Sequence, residues 1–139
     1  MNISLVPVIE VDRVWPSVRE GFERACLACG GDMSSADLWK ECRAGTAYLI
    51  VVHTDQRVLS ASVWRPETWT TGEKLRCLAL YGEGLWKWIK PLRAAVLKLK
   101  EDCGADSLVA EGLEKWDALF RRLFPNARKL RVLYEEDGI

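Results

Sequence analysis

The stretch ALYGEGLWKWIKPLRAAVLKLKEDCGAD, residues 79–106, decides the fold. Its first residues are apolar and lead into the turn Gly82-Glu83-Gly84. After this turn, apolar residues recur at spacings of three and four, which predicts a helix that buries one stripe. The stripe consists of Ile89, Leu92, Val96, Leu99 and Cys103. We expect Pro91 near the start of this helix, because a proline in a helix interior costs about 3 kcal/mol.

The segments on either side of this helix read as strands. KLRCLALY (74–81) precedes the turn, and DSLVAEG (106–112) follows Gly104, which ends the helix. A strand, a helix and a second strand in succession predict two parallel neighbours joined by a right-handed crossover. This unit is therefore expected to form one side of the sheet.

The first half of the chain predicts an antiparallel region. ISLVPVIE (3–10) reads as a strand, and a helix follows from Pro16, placed in its first turn, to about residue 29. Ser34 and Asp37 have the spacing of a capping box, so a second helix is expected over 35–44. The apolar segment 47–53 and the alternating segment 58–69 then read as a β-hairpin.

The end of the chain predicts a helix and a last strand. The helix covers 113–124 and ends before Pro125, and the strand covers RKLRVLYEED, residues 128–137. The expected inward residues of this helix are Leu113, Trp116, Phe120 and Leu123. The predicted order is β α α β β β α β α β. It indicates a single domain over 1–139, of the mixed α/β (α+β) class, with helices on both faces of one mixed sheet.

Charge and composition exclude several functional classes. Twenty basic residues balance twenty acidic ones among 139, so no net basic field is present to bind nucleic acid. No apolar run approaches the roughly 20 residues that span a bilayer. The N-terminus lacks the basic and apolar regions of a signal peptide, so we expect an intracellular protein without a membrane partner.

The five cysteines favour buried thiols over a metal or redox centre. Cys26 and Cys29 form a C-x-x-C pair, but both lie on the apolar stripe of the first predicted helix. The sequence contains no second pair of this kind and only one histidine, His53. We therefore expect no metal, and we interpret the thiols as small hydrophobic groups in a reducing compartment.

The order of elements and the pattern from Asp106 to Tyr134 resemble the GNAT superfamily of acyl-CoA N-acyltransferases. In that family a Q/R-x-x-G-x-G/A turn leads from the fourth strand into the third helix. The resemblance implies that N–H groups of this turn hold the CoA pyrophosphate. It also implies that the next strand diverges to admit pantetheine, and that a later tyrosine protonates the departing thiolate.

Two alignments of the phosphate-binding turn are possible. In the first, Gly82 and Gly84 occupy the glycine positions and Ala79 replaces Gln or Arg, but Glu83 places a carboxylate where diphosphate would lie. In the second, which keeps the family's distance to Gly104, Lys87 and Ile89 replace the glycines. In this second alignment Lys87 and Lys90 could supply cations, but the backbone cradle for the phosphate would be lost.

The catalytic positions also depart from the family pattern. Phe120 stands where the family has its tyrosine, so it keeps the ring and lacks the hydroxyl that donates a proton. If the protein is active, Glu111 is the candidate base and Tyr81 the candidate proton donor. The alternative interpretation is that Glu111 is a solvated strand-end carboxylate and Tyr81 a packing residue.

Seven tryptophans suggest either an aromatic core or a partner surface. Trp86 and Trp88 are two positions apart on one helix, so they cannot both face inward. For the second interpretation, the predicted interface contains Trp69, Trp86 and Trp88. It would bind a protein partner or a second copy of the chain.

Two functional hypotheses follow. The first is a GNAT-fold protein with degenerate motifs that acts as a non-catalytic assembly component and needs no cofactor. The segment EGLEKW (111–116) is similar to small phage-encoded GNAT-like proteins, which suggests a virion structural protein, found in the host cytoplasm or the particle. The second is an acetyl-CoA-dependent N-acetyltransferase with an atypical pyrophosphate loop.

Overall fold

The computed structural model describes residues 1–112 and 116–138. Within these residues, no helix combines the length and apolar character needed to cross a membrane. A short 3-10 turn, Val8–Glu10, follows the first strand. The helices and strands are β1 (Asn2–Leu5), α1 (Val11–Ala28), α2 (Ser35–Ala44), β2 (Tyr48–His53), β3 (Val58–Trp69), β4 (Gly72–Gly82), α3 (Leu85–Asp102), β5 (Ser107–Ala110) and α4 (Asp117–Leu123).

The five strands form one sheet in the order β1-β2-β3-β4-β5. The first three pairings are antiparallel. β4 and β5 are parallel, in a register that runs from Lys74 opposite Ser107 to Cys77 opposite Ala110. The predicted parallel pair joined by α3 is therefore confirmed, and so is the mixed sheet.

Each face of the sheet is covered by helices, as the sequence predicts. α1 and α2 cover one face, where Val18, Phe22 and Leu38 meet the strand residues Leu49, Val51 and Val63. α3 covers the other face, where its buried stripe meets Ile50, Val52 and Leu75. Alternate residues of β2 enter opposite clusters because successive side chains of a strand point to opposite faces. The chain thus has one sheet and two cores.

The capping box of α2 is confirmed. The Ser34 hydroxyl accepts a hydrogen bond from the Asp37 backbone N–H at 3.2 Å, and the Asp37 carboxylate accepts from the Ser34 N–H at 2.9 Å. Hydrogen bonds from the Ser34 backbone and side chain lower the pKa of Asp37. At the other end, Gly45 adopts a left-handed conformation with φ of 78° and ends the helix.

Two prolines lie deeper in their helices than predicted. α1 begins at Val11, so Pro16 is not in its first turn, and Pro91 is the seventh residue of α3. A proline removes one backbone hydrogen bond in the helix interior. Both rings are exposed to solvent, so water can satisfy the carbonyl that loses its partner. The first strand is also shorter than predicted, because β1 ends at Leu5, before Pro7.

The predicted final strand is wrong. Residues 128–137 form neither helix nor strand, and Leu130, Val132, Leu133 and Tyr134 are exposed by 54%, 55%, 78% and 87%. Alternation of side chains predicts strand geometry, but a strand forms only where an edge accepts its hydrogen bonds. The predicted helix 113–124 is confirmed as α4 over Asp117–Leu123. Leu113 lies outside the described residues.

Candidate functional site

The parallel strands β4 and β5 diverge after four paired residues. β5 ends at Ala110, opposite Cys77, whereas β4 continues for five more residues to Gly82. The pairing of β4 with β3 shifts at the same point, because Val63 pairs with Ala79 and Trp64 with Cys77. Leu78 is therefore the extra residue of a β-bulge, which bends the strand locally. The divergence leaves one edge of β4 without β5 as its neighbour.

The turn after β4 distinguishes between the two sequence alignments. β4 ends at Gly82 and α3 begins at Leu85, with Gly84 between them in a left-handed conformation at φ of 64°. Gly82 and Gly84 are therefore the turn glycines. Lys87 lies in the first turn of α3, where its N–H donates to the Gly84 carbonyl at 2.9 Å. The alignment that puts Lys87 and Ile89 in the loop is wrong, because α3 begins at Leu85 and both residues belong to the helix.

The turn is fixed by neighbouring protein groups. The Glu83 N–H donates to the Leu59 carbonyl at 3.0 Å, and the indole of Trp88 donates to the Glu83 carbonyl at 2.6 Å. A Cβ on Gly82 would lie 2.7 Å from the Trp88 ring and 2.8 Å from the Ser60 Cβ. Close packing therefore accounts for glycine at position 82. The N–H groups left for an anion are those at the start of α3.

A small cavity lies beside the divergence, on the α1 side of the sheet. Its volume is about 70 Å³, whereas ligand pockets commonly measure about 300–1,000 Å³. Its side chains come from the end of α1, from β4, from the segment after β5 and from α4. They include Cys29, Arg76, Leu78, Glu111, Trp116 and Phe120. Sequence reasoning missed Arg76, whose position beside Glu111 depends on the register of β4 and β5.

Phe120 of α4 lines this cavity. Its ring packs closely against Gly112, since a Cβ added to Gly112 would lie 2.9 Å from Phe120 Cε2. The benzyl side chain has no group that can donate or accept a proton. The structure thus places Phe120 at the divergence of β4 and β5, where the family resemblance implies a tyrosine.

Glu111 is held by two arginines. Its carboxylate forms an ion pair with Arg76 from β4 and a second with Arg131 from the C-terminal segment, at 2.9 Å. Arg76 also lies 3.7 Å from Glu67 on β3. Both arginines donate to the same Glu111 oxygen, Oε1, so this oxygen already has two protein partners. Glu111 thus lies beside the cavity and is held there by Arg76 and Arg131.

Tyr81 packs against α1. Its ring meets Phe22 edge-on at 5.2 Å between centroids, and a Cβ on Gly21 would lie within 2.6 Å of three Tyr81 ring atoms. Burial raises the pKa of the Tyr81 hydroxyl, although the charge of Arg24 opposes the shift. The side chain therefore stays protonated and contributes to the core on this face.

Three cysteines border the cavity. Cys26 and Cys29 come from the end of α1, and Cys77 comes from β4. All are free thiols, and burial raises the pKa of each, to about 12 for Cys77. Among the residues that the structure describes, no group of three His, Cys, Asp or Glu side chains is arranged to hold a metal ion.

The three predicted interface tryptophans have different surroundings. Trp88 is 1% exposed and belongs to the core under α3, so the prediction that it presents an indole outside is wrong. Trp86 is 65% exposed. Trp69 is half-buried, donates from Nε1 to Glu67 at 2.8 Å and has the Lys74 ammonium 5.8 Å from its ring centroid. Only Trp86 is largely accessible to a partner.

A second, larger cavity lies between the two last helices, and we call it the α3–α4 groove. Its volume is about 440 Å³. The guanidinium of Arg122 lies 4.5 Å above the ring of Trp86, and Arg93 Nε donates to the Leu123 carbonyl at 2.6 Å. The lining consists of Trp86, Ile89, Lys90, Arg93, Leu119, Arg122, Leu123 and Pro125. Apart from Trp86, sequence reasoning missed this site, because it exists only where α4 packs on α3.

No protein-family model matches the chain, and no curated protein matches it by sequence. Solved structures do match it. An aminoglycoside acetyltransferase from an uncultured soil metagenomic sample, in complex with sisomicin, is 14% identical with a TM-score of 0.72, over 99% of this chain and 96% of that one. The ribosomal-protein-alanine N-acetyltransferase of Brucella melitensis biovar Abortus 2308 is 11% identical with a TM-score of 0.65, over 98% and 100%.

A third similar structure is a possible acetyltransferase from Clostridium difficile 630, which is 14% identical with a TM-score of 0.62 and covers 99% of this chain and 97% of that one. These identities are low, so the likeness concerns the fold and not the chemistry. It extends over nearly the whole chain. The mixed five-stranded sheet, the crossover through α3 and these structural matches together show that the chain has the GNAT superfamily fold.

Proposed function

We propose that this chain is a GNAT-fold protein that binds a protein partner and does not transfer acyl groups. The observation that carries the proposal is the cavity at the divergence of β4 and β5. It is about 70 Å³ in volume and is lined by Phe120. A pantetheine arm needs an open channel there, and a departing thiolate needs a proton donor. The described side chains at this point supply packing instead.

The candidate catalytic groups support the same proposal. Glu111 is bound by Arg76 and Arg131, and the Tyr81 ring is packed against Phe22. An acyltransferase of this fold would need one of these groups to exchange a proton with its substrate. Each would first have to leave its present partners, which opposes that role.

The partner surface that we propose is centred on Trp86. An exposed tryptophan beside arginine is typical of residues that dominate binding energy at protein interfaces. Trp86 is such a residue, with Arg122 stacked on its ring. Membership of a phage particle is the specific form of this proposal, and it rests on the resemblance of residues 111–116 and of the tryptophan-rich stretch before Pro91. Co-purification with intact particles would test that form.

An acetyl-CoA-dependent N-acetyltransferase is the second candidate. The turn Gly82–Gly84 leads directly into the N-terminus of α3, where the first backbone N–H groups of a helix lack intrahelical acceptors. Lys87 lies beside it and would supply a cation to the pyrophosphate. The solved structures named above are acetyltransferases by name. In this candidate Gly82, Gly84 and Lys87 bind the cofactor, and Glu111 and Tyr81 are the acid–base groups.

Calorimetric titration with acetyl-CoA distinguishes the two candidates. We expect no binding, or a Kd weaker than about 1 mM, which corresponds to about −4 kcal/mol. A Kd in the micromolar range would overturn the proposal and establish the second candidate as a cofactor-binding protein. Lys87→Ala is the matched variant in that event, because it should weaken such binding, and Lys98→Ala, on an exposed part of α3, is its control.

A further inference from the structure

We propose that the α3–α4 groove binds the acidic C-terminal segment, residues 134–138, of a second copy of this chain. This inference rests on the proposed partner-binding function and names the partner. Each copy would supply one groove and one segment, and the assembly that we propose is the closed form, a symmetric dimer with two equivalent contacts. Such reciprocal contacts are typical of twofold homodimers.

The groove is basic and has an apolar floor. Lys90, Arg93 and Arg122 contribute three positive charges, and no Asp or Glu is among the described residues that line it. Ile89, Leu119 and Leu123 form the apolar part, and the exposed Trp86 stands at its side. A volume of about 440 Å³ suits several side chains. The groove therefore selects a ligand that combines carboxylates with an apolar or aromatic group.

The C-terminal segment has this composition. Tyr134 is followed by Glu135, Glu136 and Asp137, which together supply three negative charges. Tyr134 is 87% exposed, and the three acids are exposed as well. The segment belongs to no helix or strand, so it can adopt the conformation that a groove requires. Three carboxylates thus match three cations, and one aromatic ring matches an apolar floor.

A second copy is the favoured source because the segment of the same copy is directed elsewhere. Arg131, three residues before Tyr134, is paired with Glu111, which lines the small cavity on the α1 side. Phe120 of α4 faces that cavity, whereas Leu119 and Arg122 of α4 face the groove. The two sites therefore lie on different sides of α4, and the Arg131 ion pair places the start of the C-terminal segment at the first of them.

Reversal of charge on each side tests the inference. Sedimentation velocity of the full chain, from about 1 to 200 µM at low salt, should show a dimer that weakens as salt screens the charges. Lys90→Glu with Arg122→Glu in one chain changes the charge of the groove from +3 to −1, and Glu135→Lys with Glu136→Lys in another changes the charge of the three acidic positions from −3 to +1. Each pair of substitutions should weaken self-association at least tenfold. Lys98→Glu also reverses a charge on α3, outside the groove, and should not. All these positions are exposed, and circular dichroism confirms that each variant stays folded.

Mixing the two weakened variants gives the decisive result. The reversed groove of one chain then faces the reversed segment of the other, and the two unmodified elements also face each other. We expect the mixture to dimerise again, although neither variant does so alone. Failure of the mixture to associate, or a wild-type dimer that is indifferent to both reversals, would overturn the inference.

The outcome also separates this inference from the proposed function. A wild-type chain that is monomeric at every concentration and does not bind acetyl-CoA overturns the dimer and leaves a different protein partner in place. A chain that binds acetyl-CoA at micromolar Kd, with loss of that binding in Arg122→Glu, overturns both, because the groove then belongs to a cofactor site.

Discussion

The indole Nε1 of Trp88 lies 2.6 Å from the backbone carbonyl oxygen of Glu83 and donates a hydrogen bond to it. Trp88 is otherwise enclosed by the core under α3, with 1% of its surface exposed. One side chain thus fills the space beneath the turn and also holds the turn in place. The conformation between β4 and α3 is therefore a consequence of core packing.

We expect Trp88→Ala to lower the free energy of unfolding by about 3–5 kcal/mol, because it leaves a large cavity and an unpaired carbonyl. Denaturant unfolding measures this change. Trp86→Ala, two residues earlier on the exposed side, is the matched control and should change stability by less than about 0.5 kcal/mol. Equal effects of both substitutions would contradict the placement of Trp88 in the core.

Gly21→Ala should destabilise the protein, although alanine is the better helix former by about 1 kcal/mol. The added methyl would lie within 2.6 Å of the Tyr81 ring, and overpacking of this kind costs about 1–3 kcal/mol. The test is a double-mutant cycle with Tyr81→Ala, measured by thermal or denaturant unfolding. In the Tyr81→Ala background, Gly21→Ala should be neutral or stabilising; a cost that persists there would mean that the contact is not its cause.

Glu67 should make stability depend on acidic pH. Burial alone would raise the pKa of Glu67, but hydrogen bonds from Trp69 and Arg65, with the charges of Arg65 and Arg76, lower it overall from the ordinary 4.5. A carboxyl whose pKa is lower in the folded state stabilises the fold above its unfolded pKa, and this stabilisation is lost as pH falls through the folded pKa.

The measurement is the free energy of unfolding of the wild type and of Glu67→Gln as a function of pH. The advantage of the wild type should be constant near neutral pH and should shrink as pH falls below the ordinary pKa of 4.5. A difference that stays unchanged down to about pH 3 would show that the charge of Glu67 does not contribute.

The thiols should differ in their reaction with an alkylating reagent. Cys29 is exposed, whereas Cys42 and Cys77 are buried and burial raises the pKa of each to about 12. Since the thiolate is the nucleophile, the two buried residues should react only after unfolding. Mass spectrometry of the folded protein at pH 8 should find label first on Cys29. Early labelling of Cys77 would indicate that the cavity opens.

Periodicity alone predicted the elements that bury a face. The stripe from Ile89 to Leu99 identified α3, and the alternation of residues 58–69 identified β3 within its observed bounds. Local capping chemistry fixed α2 at both ends, through Ser34 and Gly45. The fold class followed from the order of these elements, because the crossover rule restricts how a strand, a helix and a strand connect.

The errors arise where a pattern depends on a partner far away in sequence. Residues 128–137 contain the strand-favouring run Val132-Leu133-Tyr134, but they pair with no strand of the described sheet. The helix containing Pro91 begins earlier than expected because its exposed face tolerates the missing hydrogen bond. The partner-surface interpretation includes Trp88, but this residue lies in the core with Ile89 and Leu92.

The candidate site was only partly predictable for the same reason. Glu111 and Phe120 were identified from the local pattern, and the structure places both beside one cavity. Arg76 and the groove between the last two helices depend on how distant segments meet, which no local pattern encodes. The surroundings of Arg76 follow only from the register of β4 and β5, and the groove follows only from the packing of α4 on α3.

The sheet order β1-β2-β3-β4-β5 also shapes how the chain reaches this structure. The β2–β3 and β3–β4 pairings each close a short hairpin loop, which favours rapid folding, whereas β1 is separated from β2 by α1 and α2. The hairpins of β2, β3 and β4 can assemble while later residues are still emerging from the ribosome. β5 must wait for α3, because a parallel strand can join only after its crossover is complete. The last region to fold is then the one that contains both the divergence of β4 and β5 and the α3–α4 groove. The order of synthesis would therefore delay formation of the groove until the core beneath it is in place.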